Sequence, residues 1–400
     1  MRHTTILLSL LVLALTSVAQ ADSLNVRRIG GCDTPGNAFG VAVSGDYAYV
    51  ADGDSGLRII SIADPSQPVE VGSLITPDSA YDVAVSGDYV YVADDTAGLR
   101  VISVADPAHP VEVGSCVTPG QALSVTIVGD RAYVAASGLR IISIADPAHP
   151  VELGYCDSVG PARDVAVSGN YAYVAAGGFW VISVSDSAHP AGVGFCPGLG
   201  FEFNGVAVSG WYAYGAADNG HLEVIRVADP SEPMEIAHLT LSVDHPYGVA
   251  IVGGFAYVTA SLGLLVASVA DPAHPAGAGY YKMGSQAYGV TLAGDYAYVA
   301  HGTAGLQIYK FYGGGGVEEA PTAEVGPAER LPTVVRRVLC LPQPPSCRPR
   351  TAWLLDASGK DLLVLRPGAN DVSHLAPGVY FVRSAVGGER SAVTKVIVTK

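Results

Sequence analysis

The segment Ser44–Ser73, SGDYAYVADGDSGLRIISIADPSQPVEVGS, recurs with variation across residues 26–312 of the 400-residue chain, and no other feature constrains the fold as tightly. Aligned on the glycine of SGDYAYV, the copies fall at Gly45, Gly87, Gly129, Gly169, Gly210, Gly253 and Gly294, spaced 42, 42, 40, 41, 43 and 41 residues apart. A period in the low forties with several short strands per unit is the pattern of a propeller blade. In the second copy, DVAV (Asp82–Val85) predicts an inner strand, YVYVA (Tyr89–Ala93) a second, LRVISV (Leu99–Val104) a third, and Val111–Cys116 a fourth. The middle strands are apolar nearly throughout, as expected where neighbouring sheets cover both faces. Gly-Asp or Gly-Asn supplies the tight hairpin between the first two strands. ADPxxP supplies the turn between the last two, its aspartate bonding the backbone two residues on.

The seventh copy lacks the ADPxxP turn and the fourth strand: after GLQIYKF (Gly305–Phe311) the chain enters Gly313–Gly316. The missing strand has its counterpart at the other end, where Asn25–Cys32 (NVRRIGGC) matches the fourth-strand segment VEVGSLI. The expected fold is therefore all-β, a seven-bladed β-propeller closed by its N-terminal strand, which removes both open sheet edges. Segments such as LRIISIADP, LRVISVADP and LEVIRVADP resemble the LVIVD-repeat family of bacterial and archaeal surface proteins over about residues 26–312. The resemblance implies a propeller of largely unassigned function and implies no catalytic residues.

The two ends carry an address. Arg2, the apolar run Ile6–Leu15 and Ala19-Gln20-Ala21 form a signal-peptide pattern, so residues 1–21 are expected to be removed and the mature chain to begin at Asp22. The run is shorter than the ~20 residues a bilayer span needs, and no later run reaches that length, so the mature chain is expected to have no transmembrane segment. Residues 313–332 are Gly/Pro-rich and acidic, which predicts a linker. Residues 333–400 predict a small β-sandwich with strands at Val334–Leu341, Thr351–Leu355, Asp361–Leu365, Gly378–Ser384 and Val393–Thr399. Its segments LLDASGKDLLVL, LAPGVYFVRS and the terminal KVIVTK are similar to the type A C-terminal sorting domain of the type IX secretion system, although the usual Asn-Pro opening is absent. The resemblance implies that residues 333–400 engage the type IX machinery and that the protein is secreted or attached to the outer cell surface.

Charge narrows the partners. The net charge is −15, yet from Thr333 onward ten Lys/Arg stand against four Asp/Glu, so the remainder carries −21. Such an acidic body disfavours nucleic acid and anionic membrane, which are held mainly by Lys and Arg. Cys32, Cys116, Cys156 and Cys196 occupy equivalent outer-strand places in separate blades, too far apart for a disulfide and suited to packing as small hydrophobes. Cys340 and Cys347 flank a Pro-rich turn in an exported chain, which favours a local disulfide.

Candidate functional residues gather where the loops enter the inner strands. Phe39, Tyr81, Leu123, Arg163, Phe203, Tyr247 and Tyr288 stand just before those strands, and Gly40, Asp82, Ser124, Asp164, Asn204, Gly248 and Gly289 at their first positions. A funnel lined by Phe39, Tyr81, Asp82, Arg163, Asp164, Phe203, Asn204, Tyr247 and Tyr288 suits a surface glycan or a protein or peptide ligand; aromatic packing between blades is the competing account of the same rings. Asp82 and Asp164, two blades apart, keep open a glycosidase or polysaccharide lyase reading, which needs two carboxylates roughly 5–10 Å apart. Asp52 and Asp54, in Asp52-Gly53-Asp54-Ser55-Gly56, offer alternate oxygens as a calcium loop does, but the glutamate that completes such a loop is missing. No other cofactor is expected. His109, His149, His189 and His274 occupy one turn of different blades and face solvent, and no Gly-x-Ser-x-Gly, HExxH, P-loop or dinucleotide motif is present. A non-enzymatic binding or structural module is the expected class.

Overall fold

The structure is a computed structural model that describes residues 23–197, 201–241 and 245–313 with their side chains, and, beyond these, the backbone of seven strands between Thr333 and Val398. Seven antiparallel sheets are arranged as blades around a central channel. Blade 1 runs Gly40–Ser44, Tyr47–Ala51, Leu57–Ser61 and Val69–Leu74 from channel to rim, and blade 2 runs Ala80–Ser86, Tyr89–Asp94, Leu99–Ser103 and Val111–Cys116. Blades 3 to 6 repeat the order, with inner strands Ser124–Val128, Asp164–Ser168, Phe203–Ser209 and Pro246–Val252. Blade 7 takes Val290–Ala293, Tyr296–Ala300 and Leu306–Phe311 from the end of the repeat region and its rim strand, Val26–Cys32, from the start. Inner strands of neighbouring blades touch all the way round, the seventh against the first. The N-terminal closure expected from the sequence is therefore present.

The turns form for the reasons the sequence suggests. Gly45, Gly87, Gly129, Gly169, Gly210, Gly253 and Gly294 all have φ between 56° and 61°, at the first of two loop residues, where a tight hairpin calls for glycine. Asp64 Oδ1 accepts the Ser66 amide at 2.9 Å, and Asp106, Asp146, Asp186, Asp229 and Asp271 repeat the bond two residues on. Ile62 N donates to Asp46 O at 2.8 Å, which puts the Asp-Pro turns and the hairpins on one face. The opposite face carries the loops that enter the inner strands.

Between blades the core is made of Val, Ile, Leu, Ala and the second tyrosine of each YxY pair. Tyr49, Val50, Leu57 and Ile59 of blade 1, all buried, belong to such layers, as do Tyr91, Val92, Leu99 and Val101 of blade 2. The rim-strand glycines set the spacing. A Cβ on Gly72 would lie 2.0 Å from Pro107 O, one on Gly114 2.3 Å from Pro147 O, and one on Gly30 2.3 Å from Pro65 O, so each glycine receives the Asp-Pro turn of the next blade. Blade 7 has no such turn to offer Gly279 of blade 6. That slot holds the N-terminus instead: Ser23–Leu24 adds a fifth strand to blade 6, with Leu24 O 2.7 Å from the Gly279 Cβ position. Asn25, at φ 55°, turns the chain from blade 6 to blade 7 and donates its side-chain amide to Ala278 O at 2.8 Å. The fifth strand was not anticipated.

Cys32, Cys116, Cys156 and Cys196 are unpaired, as expected. Helix is confined, among the described residues, to one 3₁₀ turn at Asp157–Val159. No helix among them is long and apolar enough to cross a membrane.

The chain divides into two units at Gly314/Gly315. In the second, the backbone forms a five-stranded sheet in the order Thr333–Val335, Val393–Val398, Gly378–Ala385, Thr351–Leu355, Asp361–Leu365, and Val338–Leu341 pairs with Gly368–Asp371. The single strand expected at Val334–Leu341 is thus two strands in different sheets, and Gly368–Asp371 is additional. The expected leader, nearly all of the expected linker and the expected Cys340–Cys347 disulfide lie outside the described residues.

Candidate functional site

The inner strands enclose a cavity of about 610 Å³ that opens on the loop face. Phe39, Tyr81, Asp82, Arg163, Asp164, Asn204, Tyr247 and Tyr288 all line it, so eight of the nine funnel residues named from sequence converge. The ninth does not.

Phe203 is buried between blades 4 and 5, with its ring centroid 6.3 Å from that of Phe179 and 5.4 Å from that of Phe201. Counted from the hairpin glycine, Phe203 stands seven residues before Gly210, whereas Tyr81 stands six before Gly87 and Arg163 six before Gly169; the strand makes the same register step at Phe203–Gly205 as blade 2 makes at Ala80–Asp82. Asn204 is the counterpart of Tyr81 and Arg163, Gly205 that of Asp82, and Phe203 that of the buried alanines Ala38, Ala80, Ala122 and Ala162. A phenylalanine fits an alanine place because Gly215 stands where other blades have valine: a Cβ on Gly215 would lie 2.3 Å from the Phe203 ring. Phe203 is thus a core residue.

The mouth has two unlike halves. Across blades 2, 1, 7 and 6 the rings of Tyr81, Phe39, Tyr288 and Tyr247 form a continuous arc with centroid separations of 5.1, 4.9 and 4.8 Å. All four are half-buried and keep an edge or face toward the cavity. Gln286 tethers the end of the arc, donating to Tyr247 Oη at 3.3 Å and accepting from the Tyr288 hydroxyl. Across blades 4 and 5 the lining is polar. Arg163 pairs with Glu202 and donates to Asn204 Oδ1 at 3.3 Å, while Asn204 Nδ2 donates to Pro246 O at 2.9 Å. Both members of the ion pair are half exposed, at 50% and 51%. Glu202 and Gln286 were missed from sequence; each lies two residues before a predicted funnel residue, on the same loop, and that proximity was the available signal.

Deeper in the channel, the first inner-strand position explains itself by blade. In blades 1, 5, 6 and 7 it is glycine, because the next blade's main chain approaches: a Cβ on Gly205 would lie 2.3 Å from Tyr247 O and one on Gly248 2.5 Å from Tyr288 O. In blades 2, 3 and 4 it is Asp82, Ser124 and Asp164, which join the blades through side chains. Asp82 accepts the amides of Val83 (2.8 Å) and, in blade 3, Val125 (3.0 Å). Asp164 accepts the amides of Val165 (2.8 Å) and, in blade 5, Val206 (2.7 Å), together with the Ser124 hydroxyl (2.6 Å). Both carboxylates are thus engaged as clips between blades.

Burial, and secondarily the charge of Asp164, pushes the Asp82 carboxyl up to about 7; burial also raises that of Asp164. Between pH ~4 and ~7 the folded protein therefore holds a proton on Asp82 that the unfolded chain has released, and stability falls as pH rises through that window. The melting temperature is expected to drop by a few degrees from pH 5 to pH 8, and Asp82→Asn is expected to flatten that slope. Thermal melts of the two proteins at unit pH intervals check this; equal slopes would show that Asp82 does not titrate in the window.

Asp52 and Asp54, the candidate calcium ligands, engage different partners. Asp52 is fully buried, with Oδ1 accepting the Thr34 hydroxyl at 2.5 Å, Oδ2 the Gly36 amide at 2.9 Å, and Arg58 Nε 3.5 Å away. Its oxygens hold the loop that leads into blade 1. Asp54 points elsewhere, to the Ser79 hydroxyl of the next loop. Alternate spacing does not converge here because residues 52–56 form a tight turn, Asp52 N donating to Gly56 O at 2.8 Å. Asp94 of blade 2 repeats the role of Asp52, accepting the Asp78 amide. His109, His149, His189 and His274 lie on the other face, each paired with the aspartate of its own turn at 2.8–3.0 Å.

Comparison with known proteins agrees with this geometry. The LVIVD repeat model matches residues 35–76, 77–118, 119–158, 159–197, 203–240, 247–282 and 284–308. The seventh match stops short, within the last blade strand that the C-terminal end of the repeat region supplies. Among solved structures, the chain is similar to the computationally designed Ika8 protein, with a TM-score of 0.53 and 10% identity over 71% of this chain and 99% of that one. At that identity the likeness concerns the fold alone. No curated protein matches the chain.

Proposed function

Because the chain belongs to the LVIVD-repeat family, we propose that its propeller is a non-enzymatic binding module whose ligand seats in the funnel mouth, and that the leader at residues 1–21 and the type IX sorting domain at residues 333–400 carry it to the outer cell surface. The observation that carries this reading is the division of the mouth into an aromatic arc, Tyr81–Phe39–Tyr288–Tyr247, and a polar arc, Arg163–Glu202–Asn204. A saccharide has the matching chemistry: an apolar ring face to lie on the aromatics and hydroxyls to exchange hydrogen bonds with a guanidinium, a carboxylate and an amide. The cavity volume of about 610 Å³ suits one or two sugar rings. A surface glycan is the favoured ligand class and an extended peptide the alternative.

The glycosidase or lyase reading is weaker because Asp82 and Asp164, the carboxylates it requires, spend their oxygens on main-chain amides and on Ser124. A glycan and peptide array screened with the full chain tests the proposal. Arg163→Ala is expected to reduce binding to any hit roughly tenfold, the scale of one charged hydrogen bond, while leaving the melting temperature unchanged, since a half-exposed ion pair contributes little. Uniform silence on the array would favour a structural role.

A further inference from the structure

Outside the funnel, one cross-strand position differs in chemistry from blade to blade, and it marks a second site. The position joins the second residue of the third strand to the rim strand. In blades 1, 2 and 3 it is arginine, and Arg58, Arg100 and Arg140 pair with Glu70, Glu112 and Glu152 of the rim. In blade 4 it is Trp180, whose ring lies 4.4 Å from that of Phe195. Each of these pairs is complementary.

Blade 5 keeps the rim glutamate, Glu235, but replaces the arginine with Glu223, so two carboxylates meet where blades 1 to 3 have an ion pair. Glu223 is 1% exposed and its Oε2 has no hydrogen-bond partner. A buried, unpartnered carboxylate oxygen beside a second carboxylate is costly while both are ionised, and a shared cation or a proton relieves it. Two imidazoles complete the cluster. His238, cross-strand from Glu223, lies 3.5 Å from Glu235 Oε1 through Nδ1; His221 lies 3.3 Å from Glu223 Oε1 through Nδ1; the two rings stack at 4.7 Å with an interplanar angle of 4°.

We infer that Glu223, Glu235 and His238 form a binding site for a divalent transition-metal ion of the zinc type. One ligand atom from each lies within 4.8 Å of the others. Ligands about 2.1 Å from a tetrahedral ion stand roughly 3.4 Å apart, so a modest inward turn of two glutamates and one histidine closes the site. Two carboxylates and an imidazole suit zinc and its neighbours better than calcium or magnesium, which take oxygen ligands. Glu235 and His238 are partly exposed, at 30% and 50%, leaving a route in for the ion and a coordination position for water or His221.

Titrating the full chain with zinc chloride by calorimetry tests the site, with calcium chloride as the contrasting ion and cobalt(II) absorption as a report on the ligand set. The wild type is expected to take up one zinc more than Glu223→Arg and to give a visible cobalt band that this variant lacks. Glu223→Arg restores the pairing of blades 1 to 3, so it is expected to fold, and it keeps every cysteine and surface histidine, which would otherwise confound zinc uptake. His238→Ala is expected to remove the same equivalent while leaving Glu223 in place. Equal zinc uptake by wild type and Glu223→Arg, or preference for calcium, would overturn the inference.

Discussion

Deleting residues 22–33 is expected to destabilise the whole propeller, by about 5 kcal/mol or more, rather than to loosen one end. Val26–Cys32 pairs with Leu306–Phe311 through six residue pairs, and a ladder hydrogen bond contributes on the order of 1 kcal/mol net. Val26 also packs against Leu264 and Tyr309 in the layer between blades 6 and 7, and Ser23–Leu24 fills the slot beside Gly279. The loss is comparable with the ~5–15 kcal/mol that holds a typical domain folded. It also exposes the edges of Leu306–Phe311 and of the blade 6 rim strand, both open to pairing with other chains. Denaturant unfolding and size-exclusion chromatography of the truncated protein check this, with a much lower midpoint, or aggregation, expected. A midpoint equal to the parent's would mean that the ring does not depend on its N-terminal strand.

Asp164→Ala is expected to cost about 3–5 kcal/mol of stability. Truncation orphans two buried amides, Val165 and Val206, and the Ser124 hydroxyl, all at the seam of blades 3, 4 and 5, and each buried donor left without a partner costs ~1–3 kcal/mol. Asp164→Asn keeps one acceptor oxygen and is expected to lose less than half as much. The comparison separates structure from chemistry: a catalytic carboxylate at a cavity mouth is replaced with little loss of stability, whereas an inter-blade clip is not. Equilibrium urea unfolding of both variants reads the difference, and a stability unchanged in Asp164→Ala would return the carboxylate to the list of free functional groups.

Ring size, closure and turn chemistry were readable because they depend on periodic features: seven glycines at positive φ, six aspartate turns of which five are Asp-Pro and one Asp186-Ser187, and one fourth strand displaced to the other terminus. Convergence of Phe39, Tyr81, Arg163, Tyr247 and Tyr288 was readable for the same reason, since equivalent places in a ring must face one axis. What periodicity could not supply was the local exception. Phe203 stands one place farther from its hairpin glycine than the residues that face the channel, and what lets a phenylalanine fill that buried alanine place, Gly215 instead of a valine, lies on the next strand and in no motif. Asp52 and Asp54 had ligand-like spacing, but spacing says nothing of Thr34 and Gly36, which approach from the previous connection and occupy Asp52's oxygens. Ser23–Leu24 was too short to register as a strand. Glu223 stood in plain view in LEVIR beside LRIIS and LRVIS, yet its meaning required the rim-strand neighbour Glu235 and the stacked histidines.

The division of the mouth into aromatic and polar arcs is the centre of the account, and calorimetric titration of the best glycan hit into wild type, Arg163→Ala and Tyr288→Ala tests it most directly. Both substitutions, on opposite sides of the cavity, are expected to weaken binding roughly tenfold or more, with the melting temperature close to wild type in Arg163→Ala and a few degrees lower in Tyr288→Ala, which loses two ring contacts. Binding of equal strength in all three proteins would contradict the placement of the ligand in the funnel.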